Sequence, residues 1–172
     1  MRKLKIEELG RISVEDFKAQ EKQPLVIIMD NVRSMHNVGA VLRTSDAFNV
    51  SKVYLCGITP RPPHREIRKT AIGAEDSVDW MHEEDSVKLC RKLQKEGFHI
   101  YVLEQAEGST PLPDFERPKD QPAALVIGHE IEGVNQKILD IADVALEIPQ
   151  FGTKHSLNVS VAAGVAMYQL TF

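Results

Sequence analysis

The stretch Leu25-Val26-Ile27-Ile28-Met29-Asp30-Asn31 decides the fold. Its apolar part is continuous rather than alternating, which is typical of a strand that is covered on both faces. A polar loop and a predicted helix over residues 37–48 follow it, and residues 52–56 then show a second strand pattern. Strands that alternate with helices in this way predict an α/β domain with a mainly parallel sheet and helices on both faces.

The same alternation continues to the C-terminus. Helical patterns cover residues 64–71, 85–96 and 135–141, and strand patterns cover residues 98–103, 123–127 and 144–148. Before the first strand, Ser13 with Asp16 three positions later predicts the start of a short helix that ends near Pro24. We therefore expect residues 1–23 to form a short N-terminal extension with a helix, and residues 24–172 to form one domain.

Composition excludes several classes of protein. The chain has 172 residues, of which 42% are apolar and 27% are charged, as in an ordinary globular domain. We find no stretch of the roughly 18 apolar residues that a membrane span requires, and the N-terminus is too charged for a secretory signal. The two cysteines, Cys56 and Cys90, suggest neither a disulfide framework nor a zinc site. A cytoplasmic protein without a membrane association is expected.

The last stretch of the chain combines a polar loop with an apolar helix. The loop begins at Ile148 and is rich in Pro, Gly, Thr and Ser, and the segment that follows is apolar almost to Phe172. A helix start offers unsatisfied backbone N–H groups to a ligand. Because a surface helix has an apolar stripe rather than an apolar surface all round, we expect this helix to be covered by its own domain and by a partner.

Four loops follow predicted strands, at the edge of a parallel sheet where ligands bind. They span residues 31–43, 104–108, 128–133 and 149–158. Taken alone, the Gly128 to Gly133 loop is also explained by turn chemistry, although Glu130 in it could anchor a neighbouring loop. Asn37 and Arg43 likewise have two interpretations, a ligand site or a helix N-cap with a surface ion pair.

Three segments taken together resemble the motifs of one family. They are Asn37-Val38-Gly39-Ala40-Val41-Leu42-Arg43-Thr44, then Ile127-Gly128-His129-Glu130-Ile131-Glu132-Gly133-Val134, then Ile148-Pro149 with Ser156-Leu157-Asn158-Val159-Ser160 and Ala162. In this order they resemble the SpoU (TrmH) family of S-adenosylmethionine-dependent RNA ribose 2′-O-methyltransferases, within the SPOUT class. The resemblance extends over residues 24–172 and implies a deep trefoil knot in the C-terminal part and a homodimer whose seam includes the C-terminal helix.

The resemblance also implies which residues form the site. The methyl donor, S-adenosylmethionine, is expected at Leu103, Gly128, Ile148, Ser156 and Leu157. The catalytic positions are expected at Arg43, Asn37, Glu130, Ser156 and Asn158, with Glu130 holding the loop that leads to Arg43. The family's proposed role for the position of Arg43 is that of a general base. Since a guanidinium stays protonated, positioning a phosphate and stabilising the forming alkoxide is the easier role to defend.

RNA is the expected partner, and a basic tract is the expected contact. The predicted RNA-binding residues are Arg33, Arg61, Arg65, Arg68 and Lys69, although a basic tract is also commonly a solvated helix face. The short segment before the first core strand favours tRNA, since the catalytic dimer must then recognise a compact RNA element itself. The alternatives are rRNA, a base-methylating relative, and a non-catalytic RNA-binding or ribosome-assembly factor. The histidines lack a metal-ligand pattern, so no metal is expected.

Overall fold

A seven-stranded sheet, parallel throughout, forms the centre of the molecule. The computed structural model describes the backbone of residues 1–172 and the side chains of all of them except Ile6. In chain order the strands are β1 Gln23–Asp30, β2 Val50–Cys56, β3 Trp80–Glu83, β4 His99–Leu103, β5 Thr110–Pro111, β6 Ala123–Ile127 and β7 Val144–Glu147. Their order across the sheet is β3-β2-β1-β6-β4-β7-β5. The predicted α/β class with a parallel sheet is confirmed.

Seven α-helices connect these strands, and two short 3₁₀ helices lie at Ile6–Glu8 and Leu112–Asp114. The α-helices are α1 Val14–Ala19, α2 Met35–Ala47, α3 Arg65–Ala71, α4 Ala74–Ser77, α5 Ser86–Lys95, α6 Gln136–Leu139 and α7 Val159–Thr171. Helix α4, strands β3 and β5 and the two 3₁₀ helices were not predicted from the sequence. Helix α1 ends at Ala19 rather than near Pro24. Strand β1 begins at Gln23, and Pro24 is its second residue.

Two hydrophobic cores lie on the two faces of the sheet. Along β1, Leu25, Ile27 and Met29 belong to one core, whereas Val26 and Ile28 belong to the other. Successive side chains of a strand point to opposite faces, so the continuous apolar run of β1 supplies both cores at once. Helices α2, α3 and α7 contribute to the first core, and α5 and α6 contribute to the second. The helices thus cover both faces, as predicted.

The pairing of the strands determines where the loops meet. Strand β6 lies between β1 and β4, with Met29 opposite Ile127 and Val102 opposite Val126. Strand β7 is the next neighbour of β4, with Leu103 opposite Leu146. Because all of these strands are parallel, the loops that follow β1, β4, β6 and β7 leave the same edge of the sheet.

Helix α7 is apolar on both its buried and its exposed sides. Four side chains on one side are buried in the first core: Ala163, Ala166, Met167 and Leu170. The opposite side exposes Val161, Val165 and Tyr168, which are 54%, 44% and 58% exposed. The domain itself therefore covers one side of the helix only. Across the described part of the chain, no helix has the length and apolar character needed to cross a membrane.

Candidate active site

A cleft of about 1050 Å³ opens at the carboxyl ends of β4, β6 and β7. Its walls come from the loops that follow these strands and from the start of α7. The five positions at which the methyl donor is expected all line it, namely Leu103, Gly128, Ile148, Ser156 and Leu157. Pockets for small ligands generally have volumes of about 300–1,000 Å³, so this cleft has room for a ligand of cofactor size.

The loop after β6 is a tight, closed structure. The backbone N–H of His129 donates to the carbonyl of Gly133 at 3.0 Å, and the N–H of Gly133 donates to the carbonyl of His129 at 2.9 Å. His129 Nδ1 accepts from the N–H groups of Ile131 and Glu132. A Cβ atom at Gly128 would lie 2.2 Å from the carbonyl carbon of Gly133. Gly128 is therefore required by the close approach of the loop's two ends, so that its backbone can face the cleft.

Glu130 joins this loop to the segment that precedes α2. Its carboxylate accepts hydrogen bonds from the backbone N–H groups of Arg33 and Ser34, both at 2.9 Å, and from Asn37 Nδ2 at 2.9 Å. Burial alone would raise the pKa of Glu130, but the N–H groups of Arg33 and Ser34 outweigh it and lower the pKa below its ordinary value. Glu130 is therefore held as a carboxylate that fixes the start of α2.

Asn37 and Asn158 continue the connection to the third loop. Asn158 Nδ2 donates to Asn37 Oδ1 at 3.1 Å, while Asn158 Oδ1 accepts from the backbone N–H of Ser160 at 2.9 Å and caps α7. The cap of α2 is Ser34, so Asn37 lies inside the helix, where it is 8% exposed. The interpretation of Asn37 as an N-cap is therefore wrong. One chain of hydrogen bonds links Glu130, Asn37 and Asn158, which come from all three sequence motifs.

Two residues after β4 also hold the site, and the sequence analysis gave them no role. Glu104 Oε2 accepts from the backbone N–H of Val134 at 3.0 Å, and Gln105 Nε2 donates to the carbonyl of His155 at 2.8 Å. The first bond fixes the loop after β6, and the second fixes the loop before α7. Their position directly after a buried strand was the only signal for them.

Asp30, at the end of β1, is a third residue that was missed. It is 1% exposed and accepts from Ser86 Oγ at 2.7 Å, Asn31 Nδ2 at 2.8 Å and the backbone N–H of Asn135 at 2.9 Å. A buried carboxylate is tolerated only when its oxygens are paired. Asp30 thus ties the end of the loop after β6 to β1 and to the start of α5.

Arg43 is the one predicted catalytic residue that the structure separates from the others. It lies in the second half of α2, is exposed, and does not line the cleft of its own chain. Among the residues that the structure describes, it has no ion-pair or hydrogen-bond partner. The next residue, Thr44, lines a shallow groove of about 510 Å³ between α2 and the exposed side of α7.

The predicted RNA-binding residues are all exposed, but they differ in their pairing. Lys69 Nζ lies 2.7 Å from Glu66 Oε1, and Arg68 Nε lies 3.2 Å from Glu75 Oε1, on a carboxylate that is buried. The remaining three are Arg33, Arg61 and Arg65, whose side chains have no ion-pair partner among the described residues. The structure thus divides the predicted RNA-binding residues into paired and unpaired ones.

Histidines and cysteines add little to the site. His129 and His155 line the cleft, whereas His36 contacts Glu66 at 2.9 Å outside it. Within the described residues, no group of three or more His, Cys, Asp or Glu side chains could hold a metal ion. Cys56 and Cys90 are free and buried, and burial raises the pKa of both thiols, that of Cys90 to about 12. Buried thiols with a raised pKa are poor nucleophiles.

Two aromatic residues have structural roles. Trp80 packs against the first core and its Nε1 donates to the carbonyl of Glu75 at 3.1 Å. Phe115 packs edge-on against Tyr101, with ring centroids 5.0 Å apart. These contacts give the two side chains core or loop-anchoring roles.

Comparison with known proteins adds independent information. The family model described as "SpoU rRNA Methylase family" matches residues 24–168. The chain is 30% identical over 162 residues to a 23S rRNA (guanosine-2′-O-)-methyltransferase of Vibrio parahaemolyticus, covering 94% of this chain and 64% of that protein. It is 31% identical over 162 residues to a tRNA (guanosine(18)-2′-O)-methyltransferase of Thermus thermophilus, covering 94% of this chain and 81% of that protein.

The fold also matches solved structures. The chain superposes on an AdoMet-bound rRNA methyltransferase from Sinorhizobium meliloti with a TM-score of 0.80 and 26% identity, over 92% of this chain and 60% of that one. The chain thus spans somewhat less than two thirds of the length of the rRNA-methylating relatives described here.

Proposed function

This chain belongs to the SpoU rRNA methylase family, and we propose that it transfers a methyl group from S-adenosylmethionine to a ribose 2′-hydroxyl of RNA. One observation carries the proposal. The three segments with the family's motifs meet at one edge of the sheet, where Glu130, Asn37 and Asn158 join them by hydrogen bonds beside a cleft of about 1050 Å³. These bonds fix the three segments in position beside the cleft, as a preorganised site requires.

The cleft fits the methyl donor in size and in lining. Leu103, Ile148 and Leu157 supply apolar surface, and the tight loop at Gly128 presents its backbone to the same space. The similar Sinorhizobium meliloti protein holds AdoMet in its solved structure, which supports the same ligand here. When bound, S-adenosylmethionine supplies an already activated methyl group, so the protein has to orient the hydroxyl and accommodate its proton.

Ser156, Asn158 and Arg43 are the residues that we propose to act on the RNA. Ser156 and Asn158 line the cleft, and Asn158 is oriented by its bonds to Asn37 and to the start of α7. A guanidinium is a poor proton acceptor, so Arg43 is not suited to act as a general base. We therefore assign it the positioning of a backbone phosphate and the stabilisation of the forming alkoxide, rather than the abstraction of a proton.

We propose a homodimer in which Arg43 acts at the partner's cleft. Three large side chains on α7, Val161, Val165 and Tyr168, are exposed although they are apolar or aromatic, and they border the groove next to Thr44. A second copy seated on this side would cover them. It would also bring Arg43, which lies away from its own cleft, next to another one.

The trefoil knot belongs to the same proposal. The family resemblance supports it, and the path of the chain is compatible with it. The loop before α7 passes the end of β4, where Gln105 binds the carbonyl of His155, and α7 then packs against α2, on the far side of β6.

We further propose that residues 24–172 form the catalytic domain and residues 1–23 a short extension. The two buried free thiols support a cytoplasmic location.

The substrate RNA is tested directly. We propose tRNA as the substrate, as predicted from the sequence. The second RNA to be tested is 23S rRNA, because relatives in the family act on one or the other. Purified protein, S-adenosylmethionine and each RNA from a strain that lacks the gene are combined, and the nucleosides are analysed by mass spectrometry. One new 2′-O-methylated nucleoside identifies the RNA, and a methylated base would instead indicate the base-methylating alternative.

A non-catalytic role is the competing proposal. It predicts that the protein binds RNA without binding the methyl donor. Titration calorimetry with S-adenosylmethionine separates the two, since an enzyme has to bind it. Absence of binding together with absence of methyl transfer to both RNAs would reject the enzyme.

A further inference from the structure

Two large apolar side chains stand in solvent on the loops that border the cleft. Phe151 is 99% exposed and Ile131 is 82% exposed. Single exposed apolar residues are common on protein surfaces, but these two lie on different loops that line the same cleft. Their shared position at the cleft indicates a contact with something that enters there.

Phe151 lies at the rim of the cleft rather than inside it. Gln150 and His155 line the cleft, whereas Phe151, which lies between them in sequence, is not part of the lining. The next residue is Gly152, and a Cβ atom there would meet nothing within 4 Å. The ring therefore projects from the tip of the loop into open space beside the cleft.

The loop that carries Phe151 is tied down at two points on the C-terminal side of its tip. Gln105 Nε2 donates to the carbonyl of His155 at 2.8 Å, and Asn158 Nδ2 donates to Asn37 Oδ1 at 3.1 Å. A binding group on a tethered loop loses less conformational entropy on binding than one on a free segment. The tethers thus present the ring near the cleft without burying it.

We propose that Phe151 stacks on an unpaired base of the RNA next to the ribose that enters the cleft. This inference rests on the proposed function and names the contact that selects a splayed, single-stranded nucleotide. RNA-binding proteins recognise such nucleotides by stacking them on aromatic side chains. Lys154, three residues further along the same loop, is exposed and adds a positive charge for a neighbouring phosphate.

Two other occupants are less compatible with the position of the ring. The adenine of the methyl donor would lie inside the cleft, and Phe151 does not line it. The partner subunit is expected on the exposed side of α7, at Val161, Val165 and Tyr168, and only its Arg43 is expected to reach the cleft. RNA is the occupant that has to approach the mouth of the cleft from solvent.

The test uses three substitutions of Phe151 and one control. Phe151→Tyr keeps an aromatic face, Phe151→Leu keeps an apolar side chain without that face, and Phe151→Ala removes both. The control is Met81→Ala, which removes a 45% exposed apolar side chain from β3 at the opposite edge of the sheet. Unmodified tRNA and 23S rRNA are the substrates.

Stacking on one base predicts that the KM for RNA rises about tenfold in the Ala and Leu variants. The Tyr variant and the Met81 control should match the parent protein. The KM for S-adenosylmethionine and the oligomeric state should be unchanged in all of them. Filter binding of the same RNAs without the methyl donor should give the same order of affinities.

Three results would overturn the inference. A Leu variant as good as the Tyr variant would show that no aromatic face is needed. A raised KM for S-adenosylmethionine would assign the ring to the cofactor, and a monomeric variant would assign it to the dimer. If the parent protein methylates neither RNA, the proposed function fails, while the filter-binding series still tests Phe151 separately.

Discussion

The two halves of α2 differ in how their polar side chains are used. The first half is fixed: Ser34 and Asn37 bind Glu130, and the carbonyl of His36 accepts from Thr70 Oγ1 at 3.0 Å. The second half carries Arg43, which is exposed and has no ion-pair partner among the described residues. One helix therefore has a start that is built into the site and, further along, one exposed cation, Arg43, that is left available.

This difference separates two kinds of function. Groups that orient a cofactor or a catalytic loop must be held in advance, so their hydrogen bonds are satisfied within the protein. Groups that bind a substrate phosphate gain most when no internal partner competes for them. The same contrast recurs in the basic tract, where Lys69 is paired with Glu66, whereas Arg61 has no ion-pair partner among the described residues.

The largest effect is expected when the positive charge of Arg43 on α2 is removed. In Arg43→Ala, kcat/KM for RNA methylation should fall about 10²–10³-fold, as when one electrostatic contact to a developing oxyanion is removed. The free energy of unfolding should be unchanged, because the side chain has no partner to lose. Methyl-transfer kinetics and thermal unfolding measure the two quantities, and full activity in this variant would reject the role of Arg43.

The second prediction concerns the exposed side of α7. Val165→Glu places a charge in the proposed dimer seam, where its desolvation should weaken self-association about 100-fold or more. Light scattering after size exclusion should then show a monomer, and activity should fall because Arg43 no longer reaches a partner's cleft. Met81→Glu is the matched control, since Met81 is 45% exposed and Val165 is 44% exposed. A monomeric parent protein would contradict the dimer.

Much of this site could be predicted from the sequence, because its residues follow strands. Loops after buried parallel strands leave one edge of a sheet, so residues 31–43, 128–133 and 149–158 were expected to converge. Their position at one edge follows from strand direction, which the helix–strand alternation indicates, whereas their proximity also depends on the strand order. The short strand β3 was missed because Trp80–Glu83 mixes apolar and polar residues at the sheet's edge and lacks a clear pattern.

Other features depend on distances that no sequence pattern gives. Gln105 meets His155 because β4 and β7 are neighbours in register, although the residues are 50 positions apart in sequence. In the sequence, the basic tract contains one acidic residue, Glu66. The sequence does not show that Glu75 also lies against Arg68. Helix α7 is apolar all round, so its sequence could not show which side its own domain covers.

A smaller effect is expected when the fixed half of α2 is loosened. Glu130→Gln replaces one acceptor oxygen by an amide donor that faces other donors, so the free energy of unfolding should fall by about 1.5–3 kcal/mol. Denaturant unfolding measures it. Glu132→Gln is the control, because it removes the same charge from the same loop, and Glu132 has no side-chain hydrogen bond among the described residues. Equal stability of the two variants would reject the holding role of Glu130.

The pH dependence sharpens this prediction. The folded pKa of Glu130 lies below its ordinary value of 4.5, so its carboxylate stabilises the fold above that pH. The stabilisation is lost as the pH falls through the folded pKa. The stability difference between the parent protein and Glu130→Gln should therefore be full near neutral pH and should shrink below pH 4.5. A difference that stays constant down to the acid transition would point to packing instead of charge.

The smallest effect is expected within the basic tract, where an unpaired and a paired cation can be compared. If Arg61 contacts a phosphate, Arg61→Ala should lower the slope of log affinity against log salt by somewhat less than one unit. Lys69→Ala should change the slope less, because Lys69 already neutralises Glu66 at 2.7 Å and releases fewer counterions on binding. RNA affinity measured over a series of salt concentrations gives both slopes. Equal slopes for the two variants would mean that internal pairing does not decide which cations contact the RNA. The difference between internally paired groups and the exposed Arg43 of α2 would then not apply to the basic tract.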